Sequence, residues 1–223
     1  MLKNFGLDFN RIRLYTQHVS LSLDQIATSG RRHVADHGWN GLSLRAVADG
    51  LGVTPMALYR HVADATALKA LVLESIVADV MPNSLVGSLE AELRSWARQV
   101  RDVLVRYEGV GSYLLSTWFE SPTMLGVIDD LLSLALKTGL DEFEAVAAVN
   151  AVFMYALMRA HAETVVRTGG TVKRELRVAA AVRPLPNLTA LGGHYRTAEF
   201  DLHFDFGLNA LLEGIVRRVR EAS

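Results

Sequence analysis

Two short helical segments joined by a tight turn constrain the fold of this chain more than any other part of its sequence. Ser43 opens the first segment, because its hydroxyl can accept hydrogen bonds from the free N–H groups of the first turn. Thr54 and Pro55 open the second, since a proline at the first helical position loses no hydrogen bond. Between them, Gly52 lets the chain reverse where a side chain would clash. The pattern predicts a helix-turn-helix.

A helix-turn-helix reads DNA when its second helix enters the major groove with its N-terminal residues against the base edges. A methyl-rich set with one hydroxyl suits thymine methyl groups, and the predicted base contacts are Thr54, Pro55, Met56 and Ala57. Basic and aromatic groups would meet phosphates, and the predicted phosphate contacts are Arg45, Tyr59, Arg60 and His61. A helical corner without DNA binding stays open, because residues 22–80 hold five Arg or Lys against six Asp or Glu.

Helical periodicity continues through the remaining sequence, and no stretch alternates strictly between apolar and polar residues. The composition shifts near Met81 and Pro82. We therefore predict an all-α chain with an arm at 1–21, an N-terminal three-helix bundle with the helix-turn-helix at 22–80, and a larger helical domain at 81–223. The larger domain is expected to bind a ligand and to dimerise.

Composition excludes several function classes. The 223 residues contain no cysteine, which removes disulfide scaffolds, thiolate catalysis and iron–sulfur chemistry. The longest apolar run, at 145–158, is shorter than the roughly 20 residues that a membrane-spanning helix needs. The first residues carry early charges and resemble no secretory peptide. We expect a cytoplasmic protein with no membrane contact, and the net charge of −1 names no partner.

A long helix predicted at 141–168 has a broad apolar side that could face an effector pocket. Asn150 and His161 are about three turns apart and project in similar directions, so they could orient a largely apolar ligand by hydrogen bonds. The candidate effector contacts are Trp96, Tyr107, Trp118, Phe119, Asn150, Phe153, Met154, Met158 and His161. Ordinary core packing explains apolar residues at helical spacing equally well.

The last predicted helix, at 198–220, carries an apolar stripe with two glycines seven residues apart. Such glycines lie on one face and allow another helix to approach closely. The predicted dimer-interface residues are Phe200, Phe204, Gly207, Leu208, Leu211, Gly214 and Ile215. A dimer is favoured because operators with two-fold symmetry need two recognition helices about 34 Å apart. Packing within the chain is the alternative.

The run at 41–77, GLSLRAVADGLGVTPMALYRHVADATALKALVLESIV, resembles the DNA-binding segment of tetracycline-repressor-like (TetR family) regulators. PNLTAL at 186–191 and FDFGLNALLEGI at 204–215 are similar to the C-terminal domain of the tetracycline-repressor branch. The resemblance implies an all-helical homodimer that binds operator DNA and releases it when a small ligand binds. The sequence departs from the family at 63–67, where a phosphate-binding lysine is common and the first cation here is Lys69.

No metal or cofactor is predicted. His33 and His37 have the spacing of zinc ligands, but the sequence offers no identifiable third ligand. The drug–magnesium ligands of the tetracycline repressors do not map onto this chain. Catalysis is not expected either, since Gly109 and Gly111 follow no strand and no nucleophile–base set is visible.

These observations together predict a ligand-responsive DNA-binding regulator, a repressor released from its operator by a small, largely apolar effector. The first alternative is an all-helical small-molecule-binding protein or enzyme without DNA binding. The second is a regulator that has lost DNA binding and acts through protein contacts.

Overall fold

The structure is a computed structural model that describes residues 21–80, 85–117, 121–167, 184–191 and 199–222, and these ranges contain helices and no strand. The predicted all-α class is confirmed. The α-helices are α1 (Leu23–His37), α2 (Leu44–Leu51), α3 (Pro55–Leu58), α4 (Ala65–Val77), α5 (Leu89–Arg106), α6 (Val110–Thr117), α7 (Pro122–Lys137), α8 (Glu142–Arg167), α9 (Pro186–Leu191) and α10 (Phe200–Ala222). Two 3-10 turns, Trp39–Gly41 and Ala78–Val80, follow α1 and α4. All of the arm except Leu21 lies outside the described residues.

Side-chain caps explain where the early helices begin. The Ser22 hydroxyl and the Gln25 amide satisfy each other's backbone N–H groups in a capping box at the start of α1. Ser43 accepts from the Ala46 N–H at 3.2 Å, as the sequence predicts. Asp64 caps α4 by accepting from the Ala67 N–H at 2.8 Å.

The N-terminal helices cross at a point of close backbone approach. A Cβ added at Gly30 of α1 would lie 2.3 Å from Cγ2 of Val72 on α4. Val72 is fully buried and β-branched, so it has little freedom to move aside. This crossing explains a glycine in mid-helix, where it costs about 1 kcal/mol in helix propensity relative to alanine.

The larger half is organised around α8, which packs most extensively against α5. The Trp96 and Phe153 rings stack with their centroids 5.3 Å apart. α6, α7 and α10 also pack on α8. α8 is long and apolar enough to cross a membrane by those two measures alone, but 44% of its most apolar window is buried inside the protein. It is therefore a core helix of this fold.

An ionic cluster around a buried arginine–glutamate pair joins three helices of the larger half. Arg101 of α5 donates to the Glu163 carboxylate of α8 from Nε at 3.0 Å and from Nη2 at 2.7 Å. Its Nη2 also lies 2.7 Å from Asp201 Oδ1 at the start of α10, and Arg167 forms a second ion pair with Glu163. Burial by itself lowers the pKa of Arg101, but its bonds to Asp201 and Glu163 outweigh burial and raise it. The cluster fixes the start of α10 against α5 and α8.

Alanine at position 30 should destabilise the protein despite its better helix propensity. Overpacking of a buried site costs about 1–3 kcal/mol, so we expect Gly30→Ala to lower the free energy of unfolding, measured by urea denaturation. Gly126→Ala is the matched control, because a Cβ there meets no atom within 4 Å. It should raise stability by up to about 1 kcal/mol. Stabilisation by both substitutions would contradict the close crossing.

Removing the charge of Glu163 should lower the free energy of unfolding far more than removing the charge of an exposed glutamate. Glu163 is 2% exposed, and breaking a buried pair costs about 3–5 kcal/mol. Glu163→Gln should therefore lower the free energy of unfolding by about 3 kcal/mol. Glu90→Gln, which breaks the more exposed pair with Arg94, should change it by less than about 1 kcal/mol. Equal losses at a fixed protein concentration would show that the cluster is not structural.

Candidate nucleic-acid interface

The helix-turn-helix is built as the sequence predicts. Gly52 adopts the left-handed conformation, with φ of 66°, and its N–H donates to the Asp49 carbonyl at 3.2 Å. The Val53 N–H donates to the Ala48 carbonyl at 3.0 Å and closes the turn. Ala48 and Leu58 are both fully buried and anchor α2 and α3 to the core beneath. The segment that follows the turn is thus held firmly from one side.

The other side of this segment is exposed. Met56 and Tyr59 have 71% and 51% of their surfaces accessible. Thr54 is the N-cap residue of α3, but its hydroxyl makes no capping bond, contrary to the role expected from the sequence. The remaining predicted DNA contacts are half-buried (Ala57) or exposed (Arg45, Pro55, Arg60 and His61). Large apolar side chains left open beside cations are typical of a surface that binds a partner.

The cations near this surface differ in how they are held. Arg45 has one weak ion pair with Asp49, at 3.9 Å, and both side chains are largely exposed. Arg60 and His61 form no ion pair within the part of the chain that the structure describes. Lys69 is held elsewhere, because its Nζ lies 5.9 Å from the centroid of the Tyr113 ring on α6. Lys69 therefore does not replace the missing phosphate-binding lysine.

The predicted effector contacts do not converge on one pocket. Trp96 and Phe153 are brought together as a buried stack, and no described group pairs with the buried Trp96 Nε1. His161 is half-buried, with Nδ1 at 3.4 Å from the Ser112 hydroxyl of α6. Met154 is half-buried on α8. Trp118 and Phe119 lie outside the described residues.

Three of the predicted effector contacts need correction. Tyr107 is buried, but its hydroxyl accepts from Arg31 of α1, so it belongs to the joint between the two halves. Asn150 is exposed rather than turned inward with His161. Met158 is 47% exposed on the surface of the protomer. The sequence misassigned Asn150 and Met158 because α8 has apolar residues on all sides, which hides which face is inside.

The predicted dimer stripe on α10 needs a similar correction. Phe204 and Leu208 are buried within their own chain. A Cβ at Gly207 would lie 2.2 Å from the Tyr155 hydroxyl of α8, so this glycine admits a side chain of the same protomer. That hydroxyl donates to the Phe204 carbonyl at 3.0 Å, and burial raises the pKa of Tyr155. Phe200 is half-buried beside Arg167 of α8, whose guanidinium carbon lies 5.5 Å from its ring centroid.

The end of the stripe, by contrast, faces outward. Leu211, Gly214 and Ile215 line an open groove of about 520 Å³ between α8 and α10, together with Phe143 and Ala147. A Cβ at Gly214 would meet nothing within 4 Å.

Exposed apolar residues that the sequence analysis missed lie on the same two helices that form this groove. The most exposed are Phe143 at 80%, Phe206 at 81% and Leu202 at 67%. We call these three residues, with Val146, Met158 and the groove, the outer face. The all-round apolar character of α8 was the signal that both of its sides needed cover.

Comparisons with known proteins agree with this architecture. The family model described as tetracyclin repressor-like, C-terminal domain, matches residues 81–219. The HTH-type transcriptional repressor DrrR1 of Streptomyces coeruleorubidus is 28% identical over 211 residues, which cover 88% of this chain and 77% of that protein. A possible TetR family regulator from Streptomyces coelicolor A3(2) superposes with a TM-score of 0.75 at 24% identity, covering 88% of this chain and 99% of that one. ActR from Streptomyces coelicolor, solved with actinorhodin, superposes with a TM-score of 0.72 at 19% identity, covering 92% of this chain and 100% of that one.

Proposed function

The chain belongs to the tetracycline repressor-like family of transcriptional regulators, and on that premise we propose that its segment from Thr54 to His61 reads operator DNA. One observation carries this proposal: the segment is anchored from below by Leu58, while Met56 and Tyr59 are open to solvent. The family assignment makes the chain a ligand-responsive regulator, a repressor by its similarity to DrrR1, rather than an enzyme. Because the protein acts on operator DNA, we infer that it functions in the cytoplasm.

Each part of the segment has a distinct role in DNA recognition. The Thr54 hydroxyl makes no capping hydrogen bond and is therefore available to a base edge. The methyl groups beside it suit the thymine methyl group. Arg60 and His61 are free to meet phosphates, which give affinity and register but no sequence information. Because few cations are available, each protomer makes few phosphate contacts, and binding depends on two protomers acting together.

The second protomer binds at the outer face. This surface carries the large exposed aromatic rings, and α8 has no charged residue from 145 to 158, so two copies meet without like-charge repulsion. Arg218 and Glu144 pair at 3.6 Å at one end of the groove and form a polar rim. α8 and α10 of two protomers then make a four-helix bundle.

The effector binds in the larger half, near α6. His161 of α8 and Ser112 of α6 offer two neighbouring polar groups, with Nδ1 of the imidazole 3.4 Å from the hydroxyl. A small, largely apolar ligand with one or two acceptor groups suits such a site. The actinorhodin complex of ActR shows that this fold accommodates an organic effector in a related protein.

Substitutions in the recognition segment should weaken DNA binding. The double variant Tyr59→Ala with Arg60→Ala removes two phosphate contacts, so its affinity for DNA from the gene's own upstream region should fall. The slope of log affinity against log salt should decrease by about 1 for the arginine. Fluorescence anisotropy between about 50 and 200 mM salt measures both.

Arg106→Ala is the matched control for that experiment, because Arg106 is an exposed arginine of α5 outside the segment. It should leave affinity and salt slope unchanged. The proposal would be contradicted if the wild-type protein failed to bind the DNA at low salt. It would also be contradicted if the double variant bound the DNA as tightly as the wild type does.

A charge on the outer face should dissociate the dimer. Phe143→Asp and Phe206→Asp each replace an exposed ring with a carboxylate, and aromatic anchors contribute about 2 kcal/mol or more to an interface. Sedimentation equilibrium should show a dissociation constant at least about thirtyfold higher. Leu125→Asp on α7, also an exposed apolar site at 53%, should stay dimeric. A monomeric wild type, or dissociation by Leu125→Asp alone, would overturn this interface.

A further inference from the structure

Arg31 of α1 connects the helix-turn-helix half of the chain to the larger half. Its Nη1 donates to the Ser75 carbonyl of α4 at 2.8 Å, and its Nη2 donates to the Asp79 carboxylate. Nε and Nη2 also lie 3.3 and 3.0 Å from the Tyr107 hydroxyl at the end of α5. All three guanidinium nitrogens thus bond to groups on α4, on the 3-10 turn that follows it and at the end of α5. A planar fork used in this way fixes direction as well as distance.

The Arg31 side chain in this contact remains positively charged. Burial alone lowers the pKa of Arg31, but its hydrogen bonds to Tyr107 and Asp79 outweigh burial and raise it. Arg31 therefore stays a cation at any physiological pH, and its contact with Tyr107 does not depend on pH.

A second, mostly apolar contact lies beside the first. The backbone N–H of Trp39 donates to the Glu108 carbonyl at 2.8 Å. The Trp39 and Tyr113 rings have their centroids 4.8 Å apart. Gly109, with φ of 86°, approaches so closely that a Cβ there would lie 3.0 Å from the Trp39 Cβ. We call the Arg31 and Trp39 contacts together the joint. The two rings are tilted at 43° and can slide past each other, whereas the guanidinium bonds of the joint are directional.

We propose that the contact between Arg31 and Tyr107 determines which spacing of operator half-sites the dimer accepts. This inference rests on the proposed function. The recognition segment packs on α2, α2 packs on α1, and α1 packs on α4. The partner protomer, in the proposed dimer, is bound through α8 and α10. The joint with α5 and α6, together with the packing of α4 on α7, therefore sets the distance and angle between the two recognition helices.

The geometry of DNA makes that distance selective. Each base pair added between half-sites moves them apart by about 3.4 Å and turns one by about a tenth of a helical turn relative to the other. A joint held by directional hydrogen bonds cannot follow such a change, so one half-site loses its contacts. A joint without these bonds can tilt, so several spacings become acceptable.

The test uses full-length protein and a duplex selected from random DNA by the wild type. Variants of that duplex with one base pair added to or removed from the spacer should bind wild-type protein at least about tenfold more weakly. Tyr107→Phe keeps the ring and removes only the hydroxyl, and Arg31→Gln removes the fork. Both should reduce the difference between spacings to about twofold, while binding of a single half-site stays unchanged.

Two further variants separate positioning from folding. Arg31→Lys retains a charge for Asp79 but cannot also bond Tyr107 and Ser75, so its selectivity should fall between wild type and Arg31→Gln. Arg106→Gln, next to Tyr107 in sequence, should keep wild-type selectivity. Thermal unfolding followed by circular dichroism confirms that the variants compared are folded.

The outcomes that overturn the inference are distinct. Variants that keep the wild-type ratio between spacings, or a wild type that binds all spacings equally, would overturn the inference alone. An equal loss on every duplex, including the single half-site, would show that Arg31 acts only on stability and would also overturn it. A wild type that selects no DNA at all would overturn the proposed function and this inference together.

Discussion

The packing of α5 against α8 is the interaction on which the rest of this structure depends. Trp96 and Phe153 stack at its centre, and the buried pair of Arg101 and Glu163 fixes its direction. Because one side of α8 packs against α5, the opposite side of α8 contributes to the outer face. The end of α5 then presents Tyr107 to the helix-turn-helix half. One helix pair thus supports both the dimer surface and the joint.

The distribution of charge follows from this arrangement. The chain as a whole is nearly neutral, and several of its cations are occupied by contacts within the chain. Arg31, Lys69 and Arg101 are held by side chains of their own chain, namely Tyr107, Tyr113 and Glu163. Arg60 and Arg45 are the arginines that we propose contact DNA. Modest electrostatic attraction per protomer makes the correct placement of two protomers more important.

The sequence predicted the helix-turn-helix well because its determinants are local. Ser43 and Gly52 act on groups within a few residues, so their chemistry can be read without knowing the tertiary fold. The sides of α8 and α10 could not be assigned in this way, since both helices are apolar on more than one side. Asn150 and Gly207 were therefore given the wrong neighbours. The partners of Arg31 lie between 44 and 76 residues away in the sequence, and no sequence periodicity predicts such distant contacts.

In the proposed mode of binding, two copies of one exposed segment, joined through the outer face, read one operator. Sedimentation velocity of the protein with a selected duplex, and with the same duplex cut to one half-site, distinguishes this mode from binding by single chains. We expect two chains on the full duplex and much weaker binding to the half-site. A single chain bound to each duplex with equal affinity would rule this mode out.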